Sequence, residues 1–287
     1  MKDKLIFGKN VKTGLHEIID PVLSPGTLFV GGVGSGVDIA ARFTVAQRFA
    51  SNSHQDLYIF SSPLFGKMEE FSCFFAYKKN VVKAFSLDQL IDVVDMIYVE
   101  IVERKKAFLR LKVNNIYEYE SVIKQKYPDY KLARIFLYIQ SFQSFPVSSQ
   151  IDFKNYANVP GSTAFKIKEL VEIGKNYGFN LIATSLEATV NNFPNILKSG
   201  IKNIMAFRVN DPRKVSGINM PQATNIRFEQ RGFCFFESGS MQFPFFDDDM
   251  IHSLISVNYQ SMTANFLTYS VDDYISNIEL RFGPKII

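Results

Sequence analysis

Residues 27–38 read TLFVGGVGSGVD, and this short segment carries the most architectural information in the chain. Its first four residues are apolar or β-branched, so they predict a buried strand. Glycines follow at once, and residues 37–50 then repeat apolar side chains at three- and four-residue steps, which predicts a helix. A strand, a glycine loop and a helix in this order are typical of a phosphate-binding loop.

The glycine loop keeps the spacing of a phosphate-binding loop but not its charged chemistry. The pattern G-x-x-x-x-G-K-[ST] uses glycines so that backbone N–H groups point at phosphate oxygens, a lysine for the β- and γ-phosphates, and a hydroxyl for Mg²⁺. Gly31 and Gly36 stand at the glycine positions, with Gly34 between them. Val37 replaces the lysine and Asp38 replaces the hydroxyl. We therefore interpret the loop as a vestigial nucleotide-binding loop.

The two replacements are expected to weaken triphosphate binding. Val37 offers no cation, and Asp38 places a carboxylate near the phosphates. Two like unit charges about 4 Å apart repel by roughly 4 kcal/mol at an effective dielectric near 20, which is about three decades of affinity. A carboxylate is also a possible Mg²⁺ ligand, so weak binding of ATP and Mg²⁺ stays open. The expectation is that no cofactor is required.

A second position tests for the same chemistry. In such folds an acidic pair that serves metal and water follows a buried strand, and the apolar run at residues 135–139 predicts a strand of this kind. Here Gln140 and Ser141 follow it. Neither side chain is an anion or an efficient general base, so we predict no catalytic residue and no metal site.

The rest of the chain predicts an α/β fold, because short apolar runs alternate with helical patterns as in βαβ units. The expected architecture is a largely parallel central sheet flanked by helices, with a C-terminal hairpin around residues 238–240 and a helix from Met250, capped by residues 247–249. We predict a single domain over residues 1–287, excised from a larger multidomain protein. Strands are predicted at 27–30, 57–60, 135–139, 181–184, 204–208 and 233–236, and helices at 37–50, 88–110 and 165–177.

Composition excludes several classes of function. A net charge of +4 is too mild for a dedicated nucleic-acid binder, so nucleic acid is not an expected partner. Cys73 and Cys234 have no cysteine or histidine at ligand spacing, which argues against a zinc site and favours buried free thiols. The longest apolar region, residues 90–102, is interrupted by acidic residues, so this segment is not expected to insert into a membrane.

Four further motifs are ERKKAF followed by VNNIYEY (103–108 and 113–119), IGKNYGFNLIAT (173–184), IMAFRV (204–209) and RGF (231–233). They resemble motifs of the FtsK/SpoIIIE family of hexamer-forming motor ATPases, and the resemblance runs from about Gly8 to Phe246. It implies a RecA-like P-loop NTPase fold. It does not carry over catalytic roles at Val37, Asp38, Gln140 and Ser141, and Ser185 stands where the family usually has a glutamine.

An intact scaffold with replaced chemistry is most similar to the last, degenerate ATPase domain of EssC/YukBA-type coupling proteins in type VIIb secretion. That resemblance implies a soluble domain at the cytoplasmic face of the bacterial cell membrane, within a larger membrane protein. The implied partners are secreted WXG-type proteins and adjacent ATPase domains of the same coupling protein. A hexameric assembly of the full-length protein is a further possibility that the resemblance implies.

Three functions remain open from the sequence. The first is a protein-interaction module that lacks hydrolysis, with Phe243, Phe245 and Phe246 as possible partner contacts. The second is a weakly active ATPase that draws phosphate-binding charge from arginines. The third is part of a DNA translocase, by analogy with the DNA-pumping branch of the family. The candidate arginines of the second are Arg42, Arg208 and Arg213.

Overall fold

The structure is a computed structural model that describes most of the first 253 residues. The described residues are 5–19, 26–52, 56–62, 68, 71–75, 80–143, 151–193, 195–237, 239–244, 247, 249–251, 253 and 267–268. The strands are β1 (Leu5–Asn10), β2 (His16–Ile19), β3 (Gly26–Val30), β4 (Leu57–Ser61), β5 (Val81–Ala84), β6 (Ile135–Ile139), β7 (Phe179–Ser185), β8 (Ile201–Phe207), β9 (Phe233–Phe236) and β10 (Gly239–Gln242). The α-helices are α1 (Val37–Asn52), α2 (Ser72–Phe75), α3 (Leu87–Leu111), α4 (Ile116–Lys124), α5 (Phe153–Tyr156), α6 (Thr163–Ile173) and α7 (Asn195–Lys198).

The ten strands found among the described residues join one sheet in the order β2-β1-β10-β9-β8-β3-β7-β6-β4-β5. The six strands from β8 to β5 are parallel, whereas β9, β10, β1 and β2 extend the sheet as antiparallel strands. The predicted α/β class, parallel centre and C-terminal hairpin are confirmed. Strands β1, β2 and β5 were not predicted, because their short segments carry little periodicity.

The sheet separates two apolar cores, as period-two alternation requires of strands covered on both faces. In β3, Leu28 and Val30 face the core that contains α3 and α6, while Phe29 faces the core that contains α1. Both faces of the central strands are therefore buried, and the polar groups of the site collect at the strand ends.

The helices begin and end where local chemistry predicts. Ser86 caps α3 by accepting a hydrogen bond from the Gln89 N–H at 3.2 Å, and Lys112 ends that helix in a left-handed conformation. The helix predicted at 165–177 ends as a 3₁₀ turn with Gly178 as its left-handed cap. Asp247 accepts a hydrogen bond from the Met250 N–H, as predicted, but most of the helix expected after it lies outside the described residues.

Two arginines of α1 are buried, although the apolar periodicity of residues 37–50 predicts the solvent-facing side of the helix for both. They are Arg42 and Arg48. Arg48 donates to Asp56 at 2.6 Å, and Arg42 interacts with the Cys73 thiol. Because an ion pair satisfies a guanidinium away from water, periodicity alone does not identify such arginines as interior residues.

The proposed aromatic contact patch is also wrong at Phe243. This side chain is 2% exposed and packs against Phe7, Phe29 and Phe207, at the junction of the hairpin and the parallel strands. Phe243 therefore belongs to the core. Phe245 and Phe246 lie outside the described residues.

Cys73 and Cys234 are buried free thiols that form no disulfide with each other, as expected. Burial raises the pKa of both thiols, so neither is a reactive thiolate at neutral pH. Within the described residues, no helix is both long and apolar enough to cross a membrane.

Candidate functional site

The parallel register brings the predicted site residues to one edge of the sheet. Val30 pairs with Ser185 of β7 and with Ala206 of β8, so the glycine loop starts between the carboxyl ends of these two strands. Ile139 of β6 pairs with Ala183 of β7, which places Gln140 on the same edge. Ligands in open α/β sheets bind at this carboxyl edge.

Backbone hydrogen bonds fix the start of the loop to its neighbours. The Gly31 N–H donates to the Ser185 carbonyl at 3.0 Å, and the Gly32 N–H donates to the Arg208 carbonyl at 2.9 Å. The N–H groups of Gly34 and Gly36 have no backbone acceptor among the described residues. The loop therefore still presents N–H groups of the kind that bind anions.

Backbone angles favour glycine at two positions of the loop, and at one of them a close contact requires it as well. Gly34 and Gly36 have φ values of +73° and +99°. At Gly36 a Cβ atom would lie 2.7 Å from the backbone nitrogen of Gly232, whose N–H donates to the Ser35 carbonyl at 3.0 Å. The RGF motif at residues 231–233 thus packs directly against the glycine loop.

We expect Gly36→Ala to destabilise the protein by at least about 3 kcal/mol, because left-handed strain adds to a clash with backbone. Gly34→Ala is the matched control, since its φ is also positive but a Cβ atom there meets nothing within 4 Å. It should cost only about 1 kcal/mol. Urea unfolding followed by circular dichroism measures both, and equal losses would contradict the supporting role of Gly232.

The two replaced loop positions differ in environment. Val37 is buried in the apolar core that contains α1, and its side chain lies against the loop at Gly31. Asp38 is exposed in the first turn of α1, where a carboxylate interacts favourably with the positive helix end. The lysine position is thus used for packing, and the hydroxyl position carries a negative charge.

Uncharged side chains form two hydrogen-bonded pairs at and near the acidic-pair positions. Ser62 donates to the Gln140 side-chain oxygen at 2.9 Å, and the Ser185 hydroxyl donates to the side-chain oxygen of Gln143 at 2.8 Å. Ser141 is buried and has a φ of +60°, a conformation unusual outside glycine. Sequence reasoning missed Ser62 and Gln143, because neither occupies a recognisable motif.

Of the three candidate arginines, the structure brings only Arg208 to the loop. Its guanidinium donates to the Val33 carbonyl at 3.4 Å and lies 5.0 Å from the centre of the Phe228 ring. Arg231 lies over the same ring at 5.2 Å. Arg213 instead pairs with Asp211 on the surface, at 2.6 Å.

The residues present do not fit a magnesium–triphosphate complex. No group of three or more metal-binding side chains occurs among the described residues. The lysine, the loop hydroxyl and the acidic pair of a working site are replaced by Val37, Asp38, Gln140 and Ser141. Among the described residues at this edge, the loop N–H groups and Arg208 match part of phosphate chemistry.

The strand order, the loop between β3 and α1, and the sheet edge define a RecA-like P-loop NTPase fold. Comparison with solved structures shows which proteins share it. The coupling protein TcpA of pCW3 conjugation, in its monomer form with ATPgS, superposes with a TM-score of 0.70 at 18% identity. Our chain is covered over 90% and TcpA over 71%.

Type VII secretion ATPases are also similar in structure. ATPases 2 and 3 of Thermomonospora curvata EccC, in complex with a signal sequence peptide, match with a TM-score of 0.66 at 14% identity, over 88% of this chain and 46% of theirs. ATPases 2 and 3 of EssC from Geobacillus thermodenitrificans match with a TM-score of 0.64 at 13% identity, over 89% and 48%. The resemblance inferred from the sequence is confirmed at the level of the fold.

The chain spans about half the length of these EccC and EssC structures. Searches of the sequence against protein-family models and curated proteins gave no match.

Proposed function

We propose that this chain is a degenerate ATPase domain that works as a protein-interaction or regulatory module in type VII protein secretion, without hydrolysing ATP. The structural likeness to the EccC and EssC ATPases supports the assignment to type VII secretion. The loss of hydrolysis rests on one observation: the loop keeps its backbone geometry, but Val37 fills the lysine position as a buried packing residue. Such a module would belong to a longer coupling protein at the membrane.

The partner surface we propose is the mouth of the glycine loop. Three apolar side chains there are exposed: Val33 by 85%, Leu186 by 41% and Phe228 by 56%. Arg208 and Arg231 flank Phe228 and add positive charge. Aromatic and arginine side chains are the residues most enriched among energetically important interface contacts. Adjacent ATPase domains and secreted helical-hairpin proteins of the WXG type are the proposed partners.

Calorimetric titration of the purified chain with Mg-ATP tests the loss of nucleotide chemistry. We expect no binding heat at micromolar nucleotide and no released phosphate, because the lysine, the loop hydroxyl and the acidic pair of a working site are all replaced. Micromolar affinity or steady turnover would overturn the proposal.

A pull-down with candidate secreted proteins and neighbouring ATPase domains tests the partner surface separately. Phe228→Ala should reduce capture by at least tenfold, as expected for an aromatic hot spot worth about 2 kcal/mol. Leu15→Ala is the control, since Leu15 is 70% exposed but lies in the turn between β1 and β2. Equal capture by both variants would remove the loop mouth as the contact surface.

A nucleotide-binding domain of low activity is the second candidate, and the contact between Arg208 and Val33 favours it. A guanidinium beside the loop provides one cation for phosphate. If Mg-ATP binds weakly, Arg208→Ala should abolish binding, whereas Arg213→Ala should leave it unchanged. An interaction module therefore gives no binding heat with Mg-ATP, whereas a nucleotide-binding domain gives weak binding that depends on Arg208.

A further inference from the structure

Glu100 is a buried carboxylate in the middle of α3 that serves no part of the glycine loop. Its side chain is fully buried, and Arg104 donates to Oε1 at 2.7 Å. The remaining acceptor sites of the carboxylate are filled from far along the chain. The Leu267 N–H donates to Oε1 at 3.0 Å, and the Thr268 N–H donates to Oε2 at 2.8 Å. The Thr268 hydroxyl also donates to Oε2.

Contacts that do not involve residues 267 and 268 also position the carboxylate. Arg104 is itself fixed by the carbonyls of Ala133, at 2.7 Å, and Tyr177, at 2.8 Å. Leu267 packs beside Glu100 on a separate apolar cluster at the end of α3, formed by Phe108, Ile116, Tyr119 and Leu132. Residues 267 and 268 therefore meet a polar contact at Glu100 and an apolar contact at this cluster.

Electrostatics favours the ionised form of Glu100 although it is buried. Burial by itself raises the pKa, but attraction to Arg104 and the hydrogen bonds from Thr268, Leu267 and Arg104 together hold the pKa below its ordinary value of 4.5. The contacts to residues 267 and 268 are therefore charge-assisted at neutral pH.

We infer that Glu100 and the adjacent apolar cluster form a peptide-binding site, filled in this chain by its own residues 267–268. The site recognises a segment in which an apolar residue precedes threonine or serine. Two consecutive backbone N–H groups and one hydroxyl must reach the carboxylate, since a buried anion without these donors is strongly unfavourable. A segment supplied by another molecule has to offer the same donors.

This site is independent of the proposed function. α3 packs in one core of the sheet and α1, which follows the glycine loop, packs in the other. Binding at Glu100 is therefore expected to be unaffected by nucleotide, and failure of either proposal leaves the other standing.

A labelled peptide with the sequence of residues 264–270 tests the inference on the full chain. The double variant Leu267→Pro/Thr268→Pro lacks both backbone donors, so the site should be released and bind the peptide at least tenfold more tightly than the wild type. Adding Glu100→Gln should remove at least tenfold of this affinity. Adding Glu103→Gln should not, because Glu103 pairs with Lys106 on the exposed side of the same helix. No binding to the folded double-proline variant, or equal binding with Glu100→Gln, would overturn the inference.

Amide hydrogen exchange is a second test of whether Glu100 holds residues 267–268, and it does not require the proline variant to fold. The amides of Leu267 and Thr268 should exchange at least tenfold faster in Glu100→Gln than in the wild type. Their exchange should be unchanged in Glu103→Gln. Equal protection in the wild type and Glu100→Gln would show that the carboxylate does not hold the segment.

Discussion

Replacing Val37 with Lys and Asp38 with Thr in one chain is expected to raise its affinity for Mg-ATP by about 100- to 1000-fold, given the cost of roughly 4 kcal/mol for two like charges. The scaffold needed for this gain is present. Gly34 and Gly36 keep their left-handed backbone, and their N–H groups have no backbone acceptor within the described part of the chain. Only the lysine and the metal-binding hydroxyl have to be supplied.

The gain depends on where the new cation stands. Val37 is 7% exposed, so a lysine there must pack its aliphatic stem against the core and extend its ammonium toward the loop, as long cationic side chains do. Val33→Lys is the matched control, because it adds the same charge to the same loop at a side chain that is 85% exposed. It should raise the affinity by less than about tenfold, as expected of a screened surface charge.

Calorimetric titration with Mg-ATP measures the gain, and thermal unfolding checks that the variants remain folded. Hydrolysis should stay undetectable in the double variant, since Gln140 and Ser141 provide neither a metal ligand nor a general base. If Val33→Lys and the double variant bind equally, the position of Val37 is not what prevents triphosphate binding. An unchanged affinity in the double variant would show that the loop backbone has also lost its function.

The sequence predicted those parts of the fold in which local chemistry and tertiary structure agree. The buried strand at 27–30, the glycine loop and the helix at 88–110 each follow from apolar periodicity or glycine positions. The replacement of motif residues is also visible in the sequence, because a phosphate-binding motif specifies residue types at fixed spacing and Val37 and Asp38 do not satisfy it.

The features that sequence reasoning missed depend on pairing across long distances. Arg48 is buried because Asp56 neutralises it, and Glu100 is buried because Arg104 and a segment 167 residues away bind it. Periodicity assigns such charged residues to the surface, since it does not include their partners. The prediction that Phe243 is a partner contact was wrong for the converse reason. The sequence around a phenylalanine next to a hairpin does not show whether other segments cover its side chain.

Asp56→Ala is expected to destabilise the protein by about 3–5 kcal/mol, because it leaves the buried cation of Arg48 without its carboxylate. Asp56 precedes β4 and connects three elements. Its Oδ2 accepts from Arg48 of α1 at 2.6 Å, and its Oδ1 accepts from the backbone N–H of Arg134, just before β6, at 3.1 Å. Both side chains of the ion pair are fully buried.

Urea unfolding followed by circular dichroism measures this loss, and a second variant separates charge from packing. Adding Arg48→Met to Asp56→Ala should recover part of the stability, because replacing both members of a buried ion pair by apolar groups removes the uncompensated charge. Glu103→Ala is the control, since its ion pair with Lys106 is exposed and such surface pairs contribute about 0–1 kcal/mol. If the double variant is less stable than Asp56→Ala alone, the guanidinium stabilises α1 mainly through its contact with the Phe136 ring, 5.1 Å away, and only secondarily through its ion pair with Asp56.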